Sequence, residues 1–251
     1  VPAVDDQEMP AGLARLWRLP APSRLGRPAA LDVDSVVTAA VDLADRDGLD
    51  GVTLQKVAQV LGFTKMSLYR HVGSKDELVE LMADHATGAA PDLGAGHWRE
   101  GLRRWAAAIR ARYALHPWLV GVPVAGPPRG PNAVGWMDAL LRTLRDTGLD
   151  PGTKVGVLNV VSGYVRQALV LEGQLAAGRA ATGLSQEQVE RDYGRSLAGL
   201  VTPDRFPDAA ELFTARVFEP EPGADADGDF AFGLELILDG VAAAIDAVSR
   251  R

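Results

Sequence analysis

The chain contains no cysteine. That excludes a disulfide framework and thiolate chemistry, and nothing else in the sequence points to secretion. No run reaches the roughly 20 consecutive apolar residues a membrane helix needs. The opening residues are acidic and lack an apolar core, so no signal peptide is read there; the expectation is a cytoplasmic protein with no membrane partner. Histidine is scarce: His71, His85, His97 and His116 form no pair with metal-ligand spacing. His97 and Glu100 can share a helix face, but two ligands do not make a site. Gly94 and Gly96 are a fragment of a dinucleotide loop without its strand or third glycine. No nucleophile elbow or phosphate loop occurs. The expectation is no catalytic residue, no metal and no cofactor. Acidic side chains are missing from two stretches, residues 9–31 and 52–75, of a chain whose formal net charge is -7.

What is present in the second stretch is VTLQKVAQVLGFTKMSLYRHVGSK, with Lys56, Lys65, Arg70 and Lys75. A cationic surface on an acidic protein suggests a polyanionic partner for that surface alone. Thr53 can cap a helix whose Leu54, Val57, Ala58 and Leu61 recur at helical spacing. Gly62 stands where a left-handed cap belongs, and Phe63 is placed to plug the junction. Thr64 caps a second helix with Leu68 and Val72 inward and Lys65, Met66, Ser67, Tyr69 and Arg70 outward. Donors, an aromatic hydroxyl and a flexible apolar tip suit a helix laid in a major groove. A plain helical hairpin with a basic solvent face is the alternative on this segment alone.

The flanks extend the pattern. Asp32 can cap a helix from Val33 to about Arg46, with Val36, Val37, Ala40, Val41, Leu43 and Ala44 inward and Gly48 at its end. Ser74-Lys75-Asp76-Glu77 reads as a capping box before Leu78, Val79, Leu81 and Met82. The stretch AVDLADRDGLDGVTLQKVAQVLGFTKMSLYRHVGSKDELVELMADHA, from Ala40 to Ala86, resembles the tetracycline-repressor (TetR) family of transcriptional regulators. The Gly48 turn, Thr53, Ala58, Gly62, Leu68-Tyr69 and Lys75 carry the likeness; the remainder resembles that family's ligand-binding half more loosely. The resemblance implies base-edge readers at Gln55 and Lys65, a thymine-methyl contact at Met66, and phosphate contacts at Thr53, Ser67, Tyr69 and Lys75, with Arg70 in either role. Lys65-Met66 replaces a Gln-Pro pair of the family's namesake, so that operator does not carry over; Lys65 favours a guanine. His71 is expected to pack against the fourth helix.

Residues 1–30 read as a flexible basic arm with Arg15, Arg18, Arg24 and Arg27, broken by Pro20, Pro22 and Pro28. It can reach into a minor groove or merely add charge. Residues 11–19 can form one short helix with Leu13, Leu16 and Trp17 on a face.

The body opens with a hinge at residues 91–96. Trp98, Leu102, Trp105, Ile109, Tyr113 and His116 then make an amphipathic stripe stopped at Pro117. Residues 121–131 form a Pro/Gly-rich loop, 134–144 a second helix, and 153 to about 175 a helix apolar on nearly every side, expected to be covered on more than one face. Residues 178–200 are polar and partly helical, and 219–229 an acidic mobile loop. The last helix, 229–248, offers two stripes. One is Phe230, Leu234, Leu238, Val241, Ile245 and Val248; the other is Gly233, Ile237, Gly240, Ala244 and Ala247. The first can pack on its own subunit and the second, paired with the 153–175 helix across a two-fold axis, on a partner, making a homodimer with a four-helix interface; burial of both within one chain is the alternative.

Four of the five tryptophans, Trp98, Trp105, Trp118 and Trp136, lie close together, and phenylalanine is absent between Thr64 and Arg205. Trp and Tyr offer a polar handle on an apolar body. The resemblance implies a cavity in this half, and Trp105, Ile109, Tyr113, His116, Trp136, Leu140, Asn159, Tyr164 and Gln167 are its candidate lining for an amphipathic aromatic or apolar effector. Core packing is the alternative for any one of them.

The expected fold is therefore all-α. A helix-turn-helix DNA-binding domain (31–75) joins through a linking helix (76–90) to a larger ligand-binding and dimerisation domain (91–251). The expected function is a repressor that a small molecule releases from a palindromic double-stranded DNA operator. The rivals are a small-molecule-binding or catalytic helical protein with a vestigial helix-turn-helix, and a constitutive DNA-binding dimer.

Overall fold

A computed structural model describes residues 9–19, 31–217 and 226–250. Among these every regular element is helical. They divide into two compact units, the first made of the described residues up to 166 with 241–250, the second of residues 167–240.

The first unit begins with α1 (Ala11–Leu16), inside the stretch 11–19 read as able to form a short helix within the basic arm. Arg24, Arg27 and the prolines at 20, 22 and 28 lie outside the described residues. α2 (Val33–Asp47) starts at Asp32, whose carboxylate accepts from the Ser35 amide at 2.7 Å. The bonds from Ser35, side chain first and then backbone, hold this carboxyl below its ordinary pKa. α2 ends at Gly48 (φ 72°), followed by a 3-10 turn, Leu49–Gly51. α3 (Leu54–Leu61) and α4 (Lys65–Tyr69) come next, then α5 (Lys75–Thr87). The Ser74 hydroxyl caps α5 by accepting from the Glu77 amide at 3.0 Å. Only half of the expected capping box forms there, because the Glu77 carboxylate is held by Arg15 of α1.

The core beneath these helices contains Val36, Val37, Ala40, Val57, Ala58, Leu68, Val72, Leu78, Leu81 and Met82. The same cluster takes in Leu16 from α1 and Trp118 and Leu119 from a later turn. Residues 31–75 thus do not enclose their own core.

α6 (Trp98–Leu115) ends one residue before His116, as the proline at 117 requires, and a 3-10 turn, Pro117–Gly121, follows. α7 (Pro131–Thr143) begins three residues earlier than the apolar pattern indicated, with proline at its first position. Its close crossing with α6 depends on Gly101, where a Cβ would lie 2.8 Å from the Thr143 side chain. α8 (Pro151–Thr182) buries Val157, Val161 and Val165. Val155, Val160, Leu171 and Leu175 are exposed, so in a single chain this helix is not covered on more than one face as its composition suggested.

In the second unit α9 (Gln186–Ala198) carries a complete capping box between Ser185 and Gln188. α10 (Pro207–Thr214) sets Phe213 against Tyr193, ring centres 5.9 Å apart. α11 (Ala226–Ser249) starts inside the expected 219–229 loop, whose residues 219–225 lie outside the described residues. On α11 Leu234, Leu238 and Val241 are buried, Phe230 and Ile245 half-buried, and Val248 exposed. Of the second stripe, Gly240 and Ala247 are exposed and Gly233, Ile237 and Ala244 half-buried.

Candidate nucleic-acid interface

α3 and α4 are short, and their ends are fixed by side chains that leave the outer surface free. The Thr53 hydroxyl accepts from the Lys56 amide at 3.2 Å, and the Thr64 hydroxyl from the Ser67 amide at 3.3 Å. Gly62 adopts the left-handed conformation (φ 74°, ψ 25°), and the Phe63 amide closes the turn on the Ala58 carbonyl at 2.9 Å. That closure turns Phe63 outward, so it is exposed and does not plug the junction.

Leu68 and Val72 are fully buried, and their burial orients the rest of the segment. Thr53, Gln55, Lys65, Met66, Tyr69, Arg70 and Lys75 are exposed; Ser67 is half-buried, its hydroxyl 2.9 Å from that of Thr64. Met66, at 71% exposure, is an apolar tip with nothing over it. The Lys65 ammonium lies 5.6 Å from the centre of the Tyr69 ring, which holds both groups at one end of the surface. Lys56 has an acid at the edge of reach, Asp47 at 4.0 Å. Among the described residues Lys65, Arg70 and Lys75 have no acidic partner. Unneutralised cations around an exposed apolar and hydroxyl-bearing strip can neutralise phosphates and meet base edges together. His71 is half-buried rather than presented with the outward set.

The other end of the head is fastened to the body. Asp45 of α2 accepts from the Trp118 indole at 2.7 Å and lies 2.8 Å from Nδ1 of His116. Asp84 of α5, only 9% exposed, caps α7 from outside. Its carboxylate accepts from the Ala133 amide at 2.9 Å, the Asn132 amide at 3.4 Å and the Asn132 side chain at 3.1 Å. The last turn of α5 is held as well: Arg112 donates to the Ala86 carbonyl, and the Trp136 indole to the Gly88 carbonyl at 2.9 Å. Sequence reasoning missed Asp45 and Asp84. A signal for the second existed, since Gly130-Pro131 opens a helix with no capping side chain of its own.

The candidate effector residues divide between core and surface. Trp105, Ile109, Trp136 and Leu140 are buried core. The Trp105 indole donates to the Trp136 carbonyl at 2.9 Å, and the two rings meet edge to face at 5.8 Å. Their polar handles are therefore already used, as are those of His116 and Trp118. Tyr113 and Tyr164 are half-buried, while Asn159 and Gln167 are exposed, Gln167 in the second unit. Burial raises the Tyr113 phenol pKa, with Arg166 opposing. Two cavities of about 370 Å³ each lie elsewhere, along residues 89–97 and α7, and share Pro91, Asp92, Ala139 and Arg142. Neither is lined by any of the candidate residues. Among the described residues no cluster of His, Asp and Glu could hold a metal ion, and no helix is long and apolar enough to cross a membrane.

Comparison with known proteins accounts for most of the chain. The model of the tetR family of bacterial regulatory proteins matches residues 36–82, and that of the tetracyclin repressor-like C-terminal domain residues 90–245. The HTH-type transcriptional repressor DrrR1 of Streptomyces coeruleorubidus is 37% identical over 223 residues, 88% of this chain and 80% of that protein. Tetracycline repressor protein class E of Escherichia coli is 27% identical over 223 residues, 88% of this chain and 94% of that one. Apo ActR from Streptomyces coelicolor superposes with a TM-score of 0.71 at 25% identity, covering 88% of this chain and 99% of its own. The ActR complex with actinorhodin gives a TM-score of 0.70 at 27% identity, covering 86% and 97%. The helix-turn-helix and the helical body thus fall within two matched models of one lineage, and the chain belongs to the tetR family of bacterial regulatory proteins.

Proposed function

We propose that two copies of this chain form a repressor that binds a near-palindromic operator and is released by a small amphipathic aromatic molecule. The observation that carries the DNA-reading step is the outward, acid-free face of α3 and α4. Lys65, Met66, Tyr69 and Arg70 are exposed there while Leu68 and Val72 anchor the segment from beneath. Residues 31–75 are the reading head, 76–90 the link and 91 onward the body. Two heads about 34 Å apart read successive major grooves of one duplex. Gln55 and Lys65 address base edges, Met66 a thymine methyl, and Thr53, Ser67, Tyr69 and Lys75 phosphates, with Arg70 serving either.

The dimer contact is built from the uncovered surfaces of α8 and α11. Val155, Val160, Leu171 and Leu175 on the first, and Leu236 on the second, are exposed beside the small residues Gly240 and Ala247. Covering one large aliphatic side chain contributes about 1.5–3 kcal/mol, so a handful suffices to offset the cost of association.

Release follows from how α5 is held. Trp136 grips the Gly88 carbonyl, Arg112 the Ala86 carbonyl, and Asp84 the first turn of α7. An effector that enters beside Trp105, Ile109, Tyr113, Leu140 and Tyr164 has to displace the Trp105–Trp136 pair. Moving Trp136 frees the end of α5 and changes the separation of the heads. A coupling of about 1–3 kcal/mol is typical of such linkage. The crystallised complex of ActR with actinorhodin supports a small-molecule effector for a related body. Selection of duplexes from random DNA by the full chain, repeated with Lys65→Ala/Tyr69→Ala, tests the reading. A shared half-site motif lost in the variant is expected; enrichment of no motif by the wild type contradicts it.

A further inference from the structure

Arg15, Trp17 and Arg18 belong to the acid-free N-terminal stretch, where a DNA-contacting arm is the natural expectation. All three are instead tied to their own chain. Arg15 binds the Glu77 carboxylate through both Nε and Nη2, the latter at 2.8 Å. The site is built closely: Glu77 is 16% exposed. A Cβ at Gly73, in the turn between α4 and α5, would stand 2.5 Å from Glu77 Oε2 and 3.1 Å from Arg15 Nη2. Arg18 pairs with Asp34 of α2 at 2.6 Å. The Trp17 indole donates to the Arg129 carbonyl at 2.8 Å, in the segment just before α7. The Arg129 guanidinium in turn lies 3.4 Å from Glu80 of α5. Leu16 is buried in the core of the head.

A helix of six residues has no stability of its own, so these contacts are what order it. They fall on α2, on the start of α5, and on the chain that leads into α7. We propose that α1 is a brace fixing the orientation of the reading head on the body, and that Arg15 and Trp17 are positioning residues for operator binding rather than DNA contacts. This rests on the DNA-reading function proposed above.

Salt dependence separates the two roles. A side chain on a phosphate releases counterions, and its loss makes the plot of log affinity against log salt shallower by about 0.9. A brace lowers affinity at every salt concentration and leaves the slope alone. The experiment uses the full chain and the duplex selected by the wild-type protein. Affinity is measured across salt for Trp17→Phe, Arg15→Gln, Glu77→Gln and the Arg15→Gln/Glu77→Gln pair. Arg15→Gln and Glu77→Gln are each expected to weaken binding about tenfold, and Trp17→Phe, which keeps an aromatic side chain but loses the indole N–H and part of the ring area, about threefold. The paired variant should be no weaker than the worse single one, and every slope should match the wild type.

A shallower slope for Arg15→Gln with unchanged binding by Trp17→Phe overturns the brace and makes α1 a DNA arm. Wild-type affinity in all variants, or multiplicative losses in the pair, also overturns it. If Arg15→Gln does not fold, Trp17→Phe alone carries the decision, because unchanged affinity there removes the link to the body. Failure of the DNA-reading function itself would be seen in the wild type, which would then bind no duplex, whereas failure of the brace is seen only in the variants.

Discussion

Replacing Asp84 with alanine removes the cap of a helix to which it does not belong. α7 starts at Gly130-Pro131 with no capping side chain, and its Asn132 and Ala133 amides both donate to the Asp84 carboxylate. Loss of an N-terminal cap costs about 0.5–2 kcal/mol. The site is nearly closed, Asp84 being 9% exposed, so the orphaned donors also lose part of their solvation. That adds about 1–3 kcal/mol per buried group left without a partner, less where water enters the space. We expect about 2–3 kcal/mol for Asp84→Ala, read as a fall of about 1 M in the urea midpoint at fixed protein concentration. Gly130→Ala attacks the same contact from the other side, since its Cβ would lie 2.0 Å from Asp84 Oδ1. Because the obstacle is the carboxylate itself, Gly130→Ala should cost clearly less in the Asp84→Ala background than in the wild type. A midpoint for Asp84→Ala within about 0.2 M of wild type, or strictly additive costs for the pair, would falsify the trans-capping account.

The remaining expectations follow the same logic. Lys65→Ala/Tyr69→Ala should abolish selective duplex binding, with about 1–3 kcal/mol lost per base-edge contact, and leave the thermal midpoint unchanged. A shifted midpoint would mean these side chains serve the fold. Gly62→Ala meets no atom within 4 Å, so its cost is the strain of φ 74° alone, about 1–2 kcal/mol, measurable by urea unfolding. Leu236→Glu places a charge on the open face of α11 and should leave a monomer by sedimentation; a persistent dimer would move the interface elsewhere. Tyr113, whose phenol pKa is raised above 10.0 by burial, should ionise above the ordinary phenol range in an ultraviolet titration. A raised folded value favours the neutral phenol, so its stabilising contribution is complete below about 10 and is lost as pH rises through the folded value. Tyr113→Phe should remove that high-pH step.

The head was legible because each of its boundaries is set by a residue acting locally. Thr53, Thr64 and Ser74 cap the following helix, and Gly48 and Gly62 end the preceding one by positive φ. The apolar positions of α2 and α3 could be read from spacing, since one face of each is covered. Local rules fail where a partner lies far along the chain. Glu77 was expected to complete a box with Ser74, but Arg15, 62 residues away, competes for it and wins with a bidentate bond. The clustering of Trp105 and Trp136 gave a correct neighbourhood but not their bonding: their N–H groups are taken by main-chain carbonyls of α7 and of the end of α5. α8 misled in the opposite direction. Its all-round apolarity suggested cover on more than one face, whereas in the single chain Val155, Val160, Leu171 and Leu175 remain exposed. Composition reports that a surface must be covered, and is silent on whether the same chain covers it.

The account rests on duplex DNA docking against α3 and α4. Its most direct measurement is the affinity of the full chain for a selected duplex across salt, wild type beside Lys65→Ala/Tyr69→Ala. Submicromolar, steeply salt-dependent binding by the wild type, with selectivity lost in the variant, is the expected result. Equal affinity for selected and scrambled duplexes, or binding indifferent to the loss of Lys65 and Tyr69, would contradict it.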